Sequence, residues 1–170
     1  MKHALITGGA GFIGSYLARF LLDDGYKVTV VDNLSNGSEE NIPKGCNFIN
    51  IDIATEHWVD SLDPSIDYVF HLAAQSSGEI SFEDPENDLK INTLGTLTLL
   101  NWSLNNGIKK FLFTSSMNVY GQVEDRMISE KDYISPDSFY AVGKVASENY
   151  MRIYSDLGLN ITVLRLFNVY

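Results

Sequence analysis

The chain has 170 residues, of which 45% are hydrophobic and 20% are charged. These values are typical of a globular protein, so we expect residues 1–170 to form one domain that needs no disulfide or metal to stabilise its core. Twelve basic and 22 acidic residues give a net charge of −10. This charge argues against nucleic acid or an anionic membrane surface as a partner, because both require a basic patch. No apolar run approaches the roughly 18 residues that span a bilayer.

A few residue types indicate the compartment and the metal content. The single cysteine, Cys46, has no partner for an internal disulfide, and we expect it to pack as a small apolar side chain near a strand in a reducing environment. The apolar stretch before the first glycines is too short for a signal peptide. These features predict a cytoplasmic protein. The spacing of the histidines and the cysteine gives no indication of a metal site.

Short runs rich in Val, Ile, Leu and Phe alternate with longer segments of helical periodicity. The predicted strands cover residues 3–7, 27–31, 47–51, 67–71, 110–115 and 161–166. The predicted helices cover about residues 11–24, 55–62, 85–106 and 138–157. Strands with so little polar alternation are covered on both faces. Strand and helix in regular alternation therefore predict an α/β fold with a doubly wound parallel sheet.

The ends of the predicted helices and two acidic stretches allow further expectations. Gly25, Gly107 and Gly158 each follow a predicted helix and precede an apolar residue. Glycine adopts the left-handed conformation at this position without a Cβ penalty, so we expect it to terminate each helix. Residues 52–67 and 79–88 are rich in acidic side chains, and we expect both stretches to form solvated surfaces.

A glycine loop, TGGAGFIG at residues 7–14, joins the first predicted strand to the first helix. Gly8, Gly11 and Gly14 have the spacing that allows a tight turn, a close approach of the backbone to a pyrophosphate, and close packing of helix on strand. Free N–H groups and the helix dipole then neutralise phosphates without a lysine. The helix is expected to turn four apolar side chains to the sheet: Phe12, Leu17, Phe20 and Leu21.

An acidic residue at the end of the second strand strengthens the prediction of a dinucleotide site. Asp32 lies 18 residues after Gly14, close to the spacing of an acid that binds the adenosine ribose hydroxyls. Asn33 follows, with no arginine beside it to bind a 2′-phosphate. The sequence therefore favours NAD over NADP.

A second group of residues has the chemistry of proton transfer. Tyr140 and Lys144 are four residues apart on a predicted helix, so their side chains share one face. A nearby ammonium group, and the positive nicotinamide ring of an oxidised cofactor, are expected to lower the pKa of the tyrosine below its usual value near 10. Ser116 directly follows the fifth predicted strand, and ligands of open α/β sheets bind at the carboxyl ends of strands. The three side chains can act together on one substrate hydroxyl.

Six ordered motifs carry a resemblance to a known family. They are TGGAGFIG (7–14), VVDN (30–33), HLAAQ (71–75), SSMNVYG (115–121), YAVGK (140–144) and RLFNVY (165–170). This set resembles the extended short-chain dehydrogenase/reductases, and more narrowly the NAD-dependent epimerase/dehydratase family of nucleotide-sugar enzymes. The resemblance extends from the first strand to the last residue. It implies a Rossmann-type domain with NAD as its cofactor.

The resemblance also implies roles for individual positions. Ser116, Tyr140 and Lys144 would be the catalytic residues. The cofactor would contact Gly8, Gly11, Phe12, Ile13, Gly14, Asp32, Asn33, Leu34, Ser35, Asn36, Gly37, Asp52, Ile53, Leu72, Ala73, Ala74, Gln75, Asn92, Tyr140, Lys144 and Phe167. The substrate would contact Ser76, Ser116, Asn118 and Asn168.

Other conspicuous side chains are expected to be structural. His71 ends a strand with no second metal-ligand residue at a useful spacing, so we expect it to be buried. Trp58 and Trp102 are expected to pack in the core. An alternative prediction for Phe167 is a position in the apolar core without a role in cofactor binding.

The reaction within the family is narrowed by two positions. As the resemblance has it, the 4,6-dehydratases carry an Asp-Glu pair directly after the catalytic hydroxyl residue, and the related decarboxylases tend to keep the glutamate. Met117 and Asn118 stand there instead, and neither can act as an acid or base. A nucleotide-sugar 4-epimerase, with UDP as the nucleotide, is therefore the leading prediction. The alternatives are a non-catalytic NAD-binding module and a dehydratase, decarboxylase or reductase of the same family.

The family continues beyond the RLFNVY segment into a carboxyl-terminal lobe that holds the nucleotide sugar, whereas this sequence ends at Tyr170. It is either a fragment or a naturally shortened copy. We expect the chain alone to bind NAD, to turn over substrate poorly or not at all because positioning is lost, and to expose apolar surface. The family also pairs two helices between subunits, so a homodimer through the helices near 85–106 and 138–157 is plausible.

Overall fold

A six-stranded sheet lies at the centre of the computed structural model, which describes residues 1–123 and 126–169. The strands run in the order β3-β2-β1-β4-β5-β6, and all neighbouring pairs are parallel. The strands are β1 His3–Thr7, β2 Lys27–Asp32, β3 Asn47–Asn50, β4 Tyr68–His71, β5 Lys110–Ser116 and β6 Ile161–Leu166. This order reverses between β1 and β4, where a doubly wound sheet forms its ligand crevice. The predicted fold class is confirmed.

Helices cover both faces of the sheet. They are α1 Phe12–Asp23, α2 Ile80–Glu83, α3 Pro85–Leu89, α4 Thr96–Asn105 and α5 Phe139–Asp156. The single helix predicted over 85–106 is broken by a π-helical turn, Lys90–Gly95, between α3 and α4. In this wider turn the Asn92 carbonyl oxygen accepts hydrogen bonds from two side chains, the hydroxyl groups of Thr96 and Ser147.

The prediction of a helix over residues 55–62 is wrong. Only one 3₁₀ turn forms there, Trp58–Ser61, and it begins after His57 in a left-handed conformation with φ 59°. A segment of this length cannot offset the cost of helix nucleation by itself. Burial of one side chain decides its path instead, because Trp58 packs in the core beneath α4.

The face that α1 turns to the sheet differs from the prediction. Its buried residues are Gly14, Ala18 and Leu21, whereas Phe12 and Phe20 are 58% and 67% exposed. The expectation for these two phenylalanines was wrong. Small side chains face the strands because α1 begins directly above the glycine loop, where the helix and the backbone beneath it are in close contact. Leu21 is buried as predicted, and Leu17 packs at the margin.

Two apolar clusters fill the space between the sheet and the helices. One contains Trp58 and reaches Trp102, and the other is bordered by Cys46 near β3, so the packing roles predicted for these three residues are confirmed. The predicted helix ends are also confirmed. Gly25, Gly107 and Gly158 have φ values of 79°, 66° and 106°. No helix in the described part of the chain is long and apolar enough to cross a membrane.

Candidate active site

A cleft of about 660 Å³ opens at the carboxyl ends of the central strands. The predicted cofactor and substrate positions that line it are Gly8, Gly11, Phe12, Ile13, Gly14, Asp32, Asn33, Ser35, Asn36, Gly37, Asp52, Ile53, Leu72, Ala73, Ala74, Gln75 and Ser76. These positions come from four separate loops. The topology therefore gathers most of the predicted cofactor set around one cavity.

Several lining residues were missed by the sequence analysis. They are Val31, Ile51, Ile80, Asn87, Ile91, Thr114 and Val169. Val31 and Ile51 directly precede the predicted Asp32 and Asp52, so a wider window at each strand end would have found them. Asn87 and Ile91 are four residues apart, which is the spacing of neighbours on a helical surface and was the available signal for them.

The glycine loop brings backbone N–H groups to the cleft. A Cβ at Gly8 would lie 2.7 Å from the Ala73 nitrogen, and one at Gly14 would lie 2.7 Å from the Gly9 Cα. At Gly11, in contrast, a Cβ would meet only the Gly8 carbonyl oxygen, at 3.4 Å, so the space beside it is open. Gly11 caps α1 without a side-chain hydrogen bond. The first N–H groups of the helix have no intrahelical acceptor, and they fit a pyrophosphate at this position.

The loop after β2 forms the adjoining wall of the cleft. The Asp32 carboxylate accepts hydrogen bonds from the backbone N–H groups of Ala10, at 3.0 Å, and Leu34, at 2.8 Å. Asn33 donates to the Asp52 carboxylate at 2.9 Å. Leu34 is half-buried and lies outside the lining. The described lining contains no lysine or arginine, so the walls fit a ribose with free hydroxyls better than one that carries a 2′-phosphate.

His71 connects the glycine loop to the helices behind the cleft. It is fully buried at the end of β4, as predicted. Its Nε2 lies 2.9 Å from the Thr96 hydroxyl, which itself donates to the Asn92 carbonyl oxygen. Nε2 must therefore carry the hydrogen, and Nδ1 accepts from the Thr7 hydroxyl at 2.6 Å. Burial lowers the pKa of His71 to about 3, so the ring is neutral.

The three predicted catalytic side chains are buried beside this region. Ser116, Tyr140 and Lys144 are 8%, 7% and 2% exposed. Ser116 ends β5, and its hydroxyl oxygen accepts from the Asn118 N–H at 3.2 Å. Tyr140 and Lys144 lie in the first turns of α5, which Ser138 caps.

The lysine is held in place by backbone and aromatic contacts. Its ammonium group donates to the Thr114 carbonyl oxygen at 3.0 Å. The nitrogen lies 4.7 Å from the centre of the Phe113 ring and 5.7 Å from that of Tyr140. Thr114 lines the cleft, so the lysine and the cleft share one wall.

The protonation of the pair differs from the expectation. Burial raises the pKa of Tyr140, the hydrogen bond with Ser116 lowers it, and the Asp88 carboxylate raises it further. The predicted lowering of the Tyr140 pKa is therefore wrong for this structure, because burial is the largest effect on the phenol and raises its pKa. Burial lowers the pKa of Lys144 to about 8, while the charges of Asp88 and Glu148 raise it.

Four remaining predicted positions lie outside the lining of the cleft, and Leu34, described above, is a fifth. Asn92 is buried behind it, where its amide donates to the Gln75 carbonyl oxygen at 3.0 Å. Phe167 and Asn168 are exposed at the end of β6, and Phe167 borders a second groove along this edge strand. Asn118 lies in the 3₁₀ turn that follows Ser116. Tyr170, the last residue of the RLFNVY motif, lies outside the described residues.

Two acidic residues, one partly buried and one buried, were missed. Glu148 on α5 forms a bidentate ion pair with Arg165, with distances of 3.0 and 2.7 Å, and accepts from the Ser115 hydroxyl at 2.6 Å. Asp88 is only 1% exposed, which contradicts the expectation of a solvated surface at this residue, whereas Glu79, Glu83, Asp84 and Glu86 are exposed as expected. In residues 1–123 and 126–169, no three His, Cys, Asp or Glu side chains are grouped so that they could hold a metal ion.

Comparisons with known proteins agree with this geometry. The model of the NAD dependent epimerase/dehydratase family matches residues 4–170. A putative UDP-glucose 4-epimerase of Methanocaldococcus jannaschii is 37% identical over 98% of this chain and 55% of its own length. The chain thus spans about half the length of the curated relatives it matches.

Solved structures give the same result. The crystal structure of the Thermotoga maritima UDP-glucose 4-epimerase with UDP-glucose is 42% identical, with a TM-score of 0.93 over 99% of this chain and 56% of that one. The Thermus thermophilus UDP-glucose 4-epimerase in complex with NAD is 39% identical, with a TM-score of 0.90 over the same shares. The chain therefore belongs to the NAD dependent epimerase/dehydratase family, which confirms the resemblance found in its sequence and the cofactor of that family, NAD.

Proposed function

We propose that this chain forms the NAD-binding and proton-transfer part of a nucleotide-sugar 4-epimerase that acts on a UDP-sugar. One observation carries the proposal. Thr114 lines the cleft, and its backbone carbonyl oxygen accepts a hydrogen bond from the ammonium group of the buried Lys144. The site for a dinucleotide and the proton-transfer residues are thus adjacent. The proposed specificity for a UDP-sugar is supported by a relative and a structural neighbour that are named as UDP-glucose 4-epimerases.

The residues divide the chemistry between them. Bound NAD supplies reversible hydride acceptance. Tyr140 takes the proton from the sugar hydroxyl and later returns it, Ser116 donates a hydrogen bond to the same substrate oxygen, and Lys144 stabilises the phenolate by its charge. The N–H groups of Phe12 and Ile13 hold the pyrophosphate. Because the walls exclude water from these side chains, their charges interact more strongly than in solution.

The turn after Ser116 supports epimerisation over dehydration. Met117 and Asn118 begin this 3₁₀ turn, and neither side chain has a titratable group that could expel water from a sugar. A decarboxylase or reductase of the same family, and a module that binds NAD without turnover, are the competing functions.

Calorimetry with NAD, NADP and UDP-sugars tests the proposal. We expect NAD to bind, and NADP to bind at least about tenfold more weakly, because the residues described around the cleft include no Lys or Arg for the extra phosphate and Asp32 repels it. A protein that preferred NADP would contradict the cofactor assignment.

Turnover is tested by following the interconversion of UDP-sugar epimers. Where it occurs, we expect Tyr140→Phe to abolish it while NAD binding persists. A chain that binds NAD and never converts a UDP-sugar, even when joined to the lobe that its relatives carry, would support the non-catalytic module.

We also propose a homodimer through α3–α4 and α5. Four apolar side chains at these helices are about half exposed: Leu89, Leu94, Val142 and Ile153. Burying these side chains against a second copy would stabilise the pair. Sedimentation velocity should give the mass of two chains, and Leu94→Glu should give that of one.

A further inference from the structure

Asp88 is a buried carboxylate that the proposed chemistry does not use. It lies on α3 at the end of an acidic stretch and is 1% exposed. Two neutral amides donate to its Oδ2, Gln75 at 3.1 Å and Asn92 at 2.9 Å. Among the described residues, no Lys, Arg or His nitrogen lies within 4.0 Å of it. A buried charge without a compensating charge is costly: burial raises the pKa of the Asp88 carboxyl, while the two amides and the charge of Lys144 lower it.

The other side of Asp88 faces α5 next to the lysine. A Cβ at Gly143 would lie 3.3 Å from the Asp88 Oδ1, so α5 meets the carboxylate at the residue before Lys144. Lys144 is itself 2% exposed, and its ammonium group donates to a neutral carbonyl oxygen. Two buried charges of opposite sign thus lie in one region, each bonded only to uncharged groups.

The other charged groups around the lysine are already compensated. Glu148 lies one helical turn after Lys144, but Arg165 from β6 binds both of its oxygens. His71 from β4 is neutral, since burial lowers its pKa to about 3. The α3 side therefore supplies the uncompensated anion.

We propose that the Asp88 carboxylate is the buried counter-charge of Lys144, and that it acts through the lysine as a positioning residue for the Tyr140–Lys144 pair. The inference rests on the proposed function only for its consequence in catalysis, since the charge coupling exists in the protein without cofactor or substrate. Gly143 is part of this arrangement, because a larger residue at position 143 would displace the Asp88 carboxylate from α5.

The coupling has a definite sign for both partners. An anion near Lys144 favours the ammonium form. The charge of Asp88 accordingly raises the pKa of the lysine, whereas burial lowers it. The same anion disfavours the Tyr140 phenolate and raises the pKa of the phenol. Asp88 thus keeps the lysine charged at neutral pH and delays the ionisation of the tyrosine.

The test is a titration of Lys144 by NMR of the protein labelled at lysine Cε and Nζ, with the resonance assigned from its loss in Lys144→Met. In Asp88→Asn, which keeps the size of the side chain and an oxygen for the two amides, we expect the midpoint to fall by at least about half a pH unit. Glu86→Gln removes the same charge from an exposed position of α3 and should leave the midpoint unchanged. An unchanged midpoint in folded Asp88→Asn would overturn the proposal.

A reciprocal measurement covers the case in which Asp88→Asn does not fold. Charge coupling is mutual, so removal of the ammonium group in Lys144→Met should raise the titration midpoint of the Asp88 carboxyl, followed by NMR of its Cγ. A midpoint equal to that of the wild type would also overturn the proposal. Neither measurement involves NAD or a sugar, so a failed assignment of function leaves both results interpretable.

Discussion

Replacement of Gly14 by alanine is expected to weaken NAD binding strongly and to destabilise the fold. The added Cβ would lie 2.7 Å from the Gly9 Cα and 2.9 Å from the Gly8 carbonyl carbon. Both neighbours are backbone atoms of the glycine loop, which cannot rotate away as a side chain can. Either α1 moves off the loop or the loop opens, and both changes displace the N–H groups that would hold the pyrophosphate.

The expected magnitude is large for one methyl group. Overpacking of this kind costs about 1–3 kcal/mol of unfolding free energy, measurable by urea denaturation. Loss of the pyrophosphate contacts should weaken NAD binding by at least about 100-fold, or about 2.7 kcal/mol, measurable by calorimetry.

Gly107→Ala is the matched control. Gly107 ends α4 with φ 66° and nothing within 4 Å of a Cβ, so alanine there adds backbone strain of about 1–2 kcal/mol without touching the cleft. Its stability should fall while its NAD affinity stays that of the wild type. If Gly14→Ala bound NAD as tightly as Gly107→Ala does, the assignment of the glycine loop to the pyrophosphate would be wrong.

Features fixed by local chemistry were predictable from the sequence. The strands of the sheet, the glycines that terminate helices and the position of Asp32 at the end of β2 all follow from short-range patterns. The parallel order then brings the strand ends together, which is why so many of the predicted cofactor residues line one cleft. The 55–62 segment was not predictable in this way, because burial of Trp58 beneath α4 outweighs its helical pattern.

What the sequence did not show depends on contacts between distant residues. Asp88 looks like any other member of an acidic stretch, and only the packing of α3 against α5 buries it. The protonation of Tyr140 was predicted from two positive charges, the Lys144 ammonium group and the nicotinamide ring of the oxidised cofactor. In the fold, burial and Asp88 act on the phenol in the opposite direction. The pKa of a buried group depends on burial and on charges from several elements of the fold. The spacing of Tyr140 and Lys144 along one helix indicates only one of these contributions.

His71 is expected to make the protein lose stability as the pH falls below neutrality. Its hydrogen bonds require the neutral ring, since Nδ1 accepts from Thr7 while Nε2–H donates to Thr96. Burial lowers the pKa in the fold from 6.5 to about 3. Between these values the unfolded chain binds a proton that the folded chain does not. Stability is therefore complete above about pH 6.5 and falls progressively towards pH 3.

The loss is large enough to measure in a window that few other groups share. Each pH unit below 6.5 costs about 1.4 kcal/mol from this ring, so about 2 kcal/mol should be lost between pH 7 and pH 5. Carboxyl groups with lowered pKa values, such as Asp67, contribute only below about pH 4. His3, which is also buried with a lowered pKa, adds to the same slope.

Urea denaturation of variants at several pH values separates His71 from the rest. His71→Gln keeps a side chain that can donate and accept but removes the titrating ring, so its unfolding free energy should depend less on pH, and the gap to the wild type should narrow by about 2 kcal/mol from pH 7 to pH 5. His57→Gln alters a side chain that is 81% exposed and should follow the wild-type curve. A parallel decline in the wild type and His71→Gln would mean that the ring titrates in the fold with the same pKa as in the unfolded chain, because only a group whose pKa differs between the two states couples stability to pH.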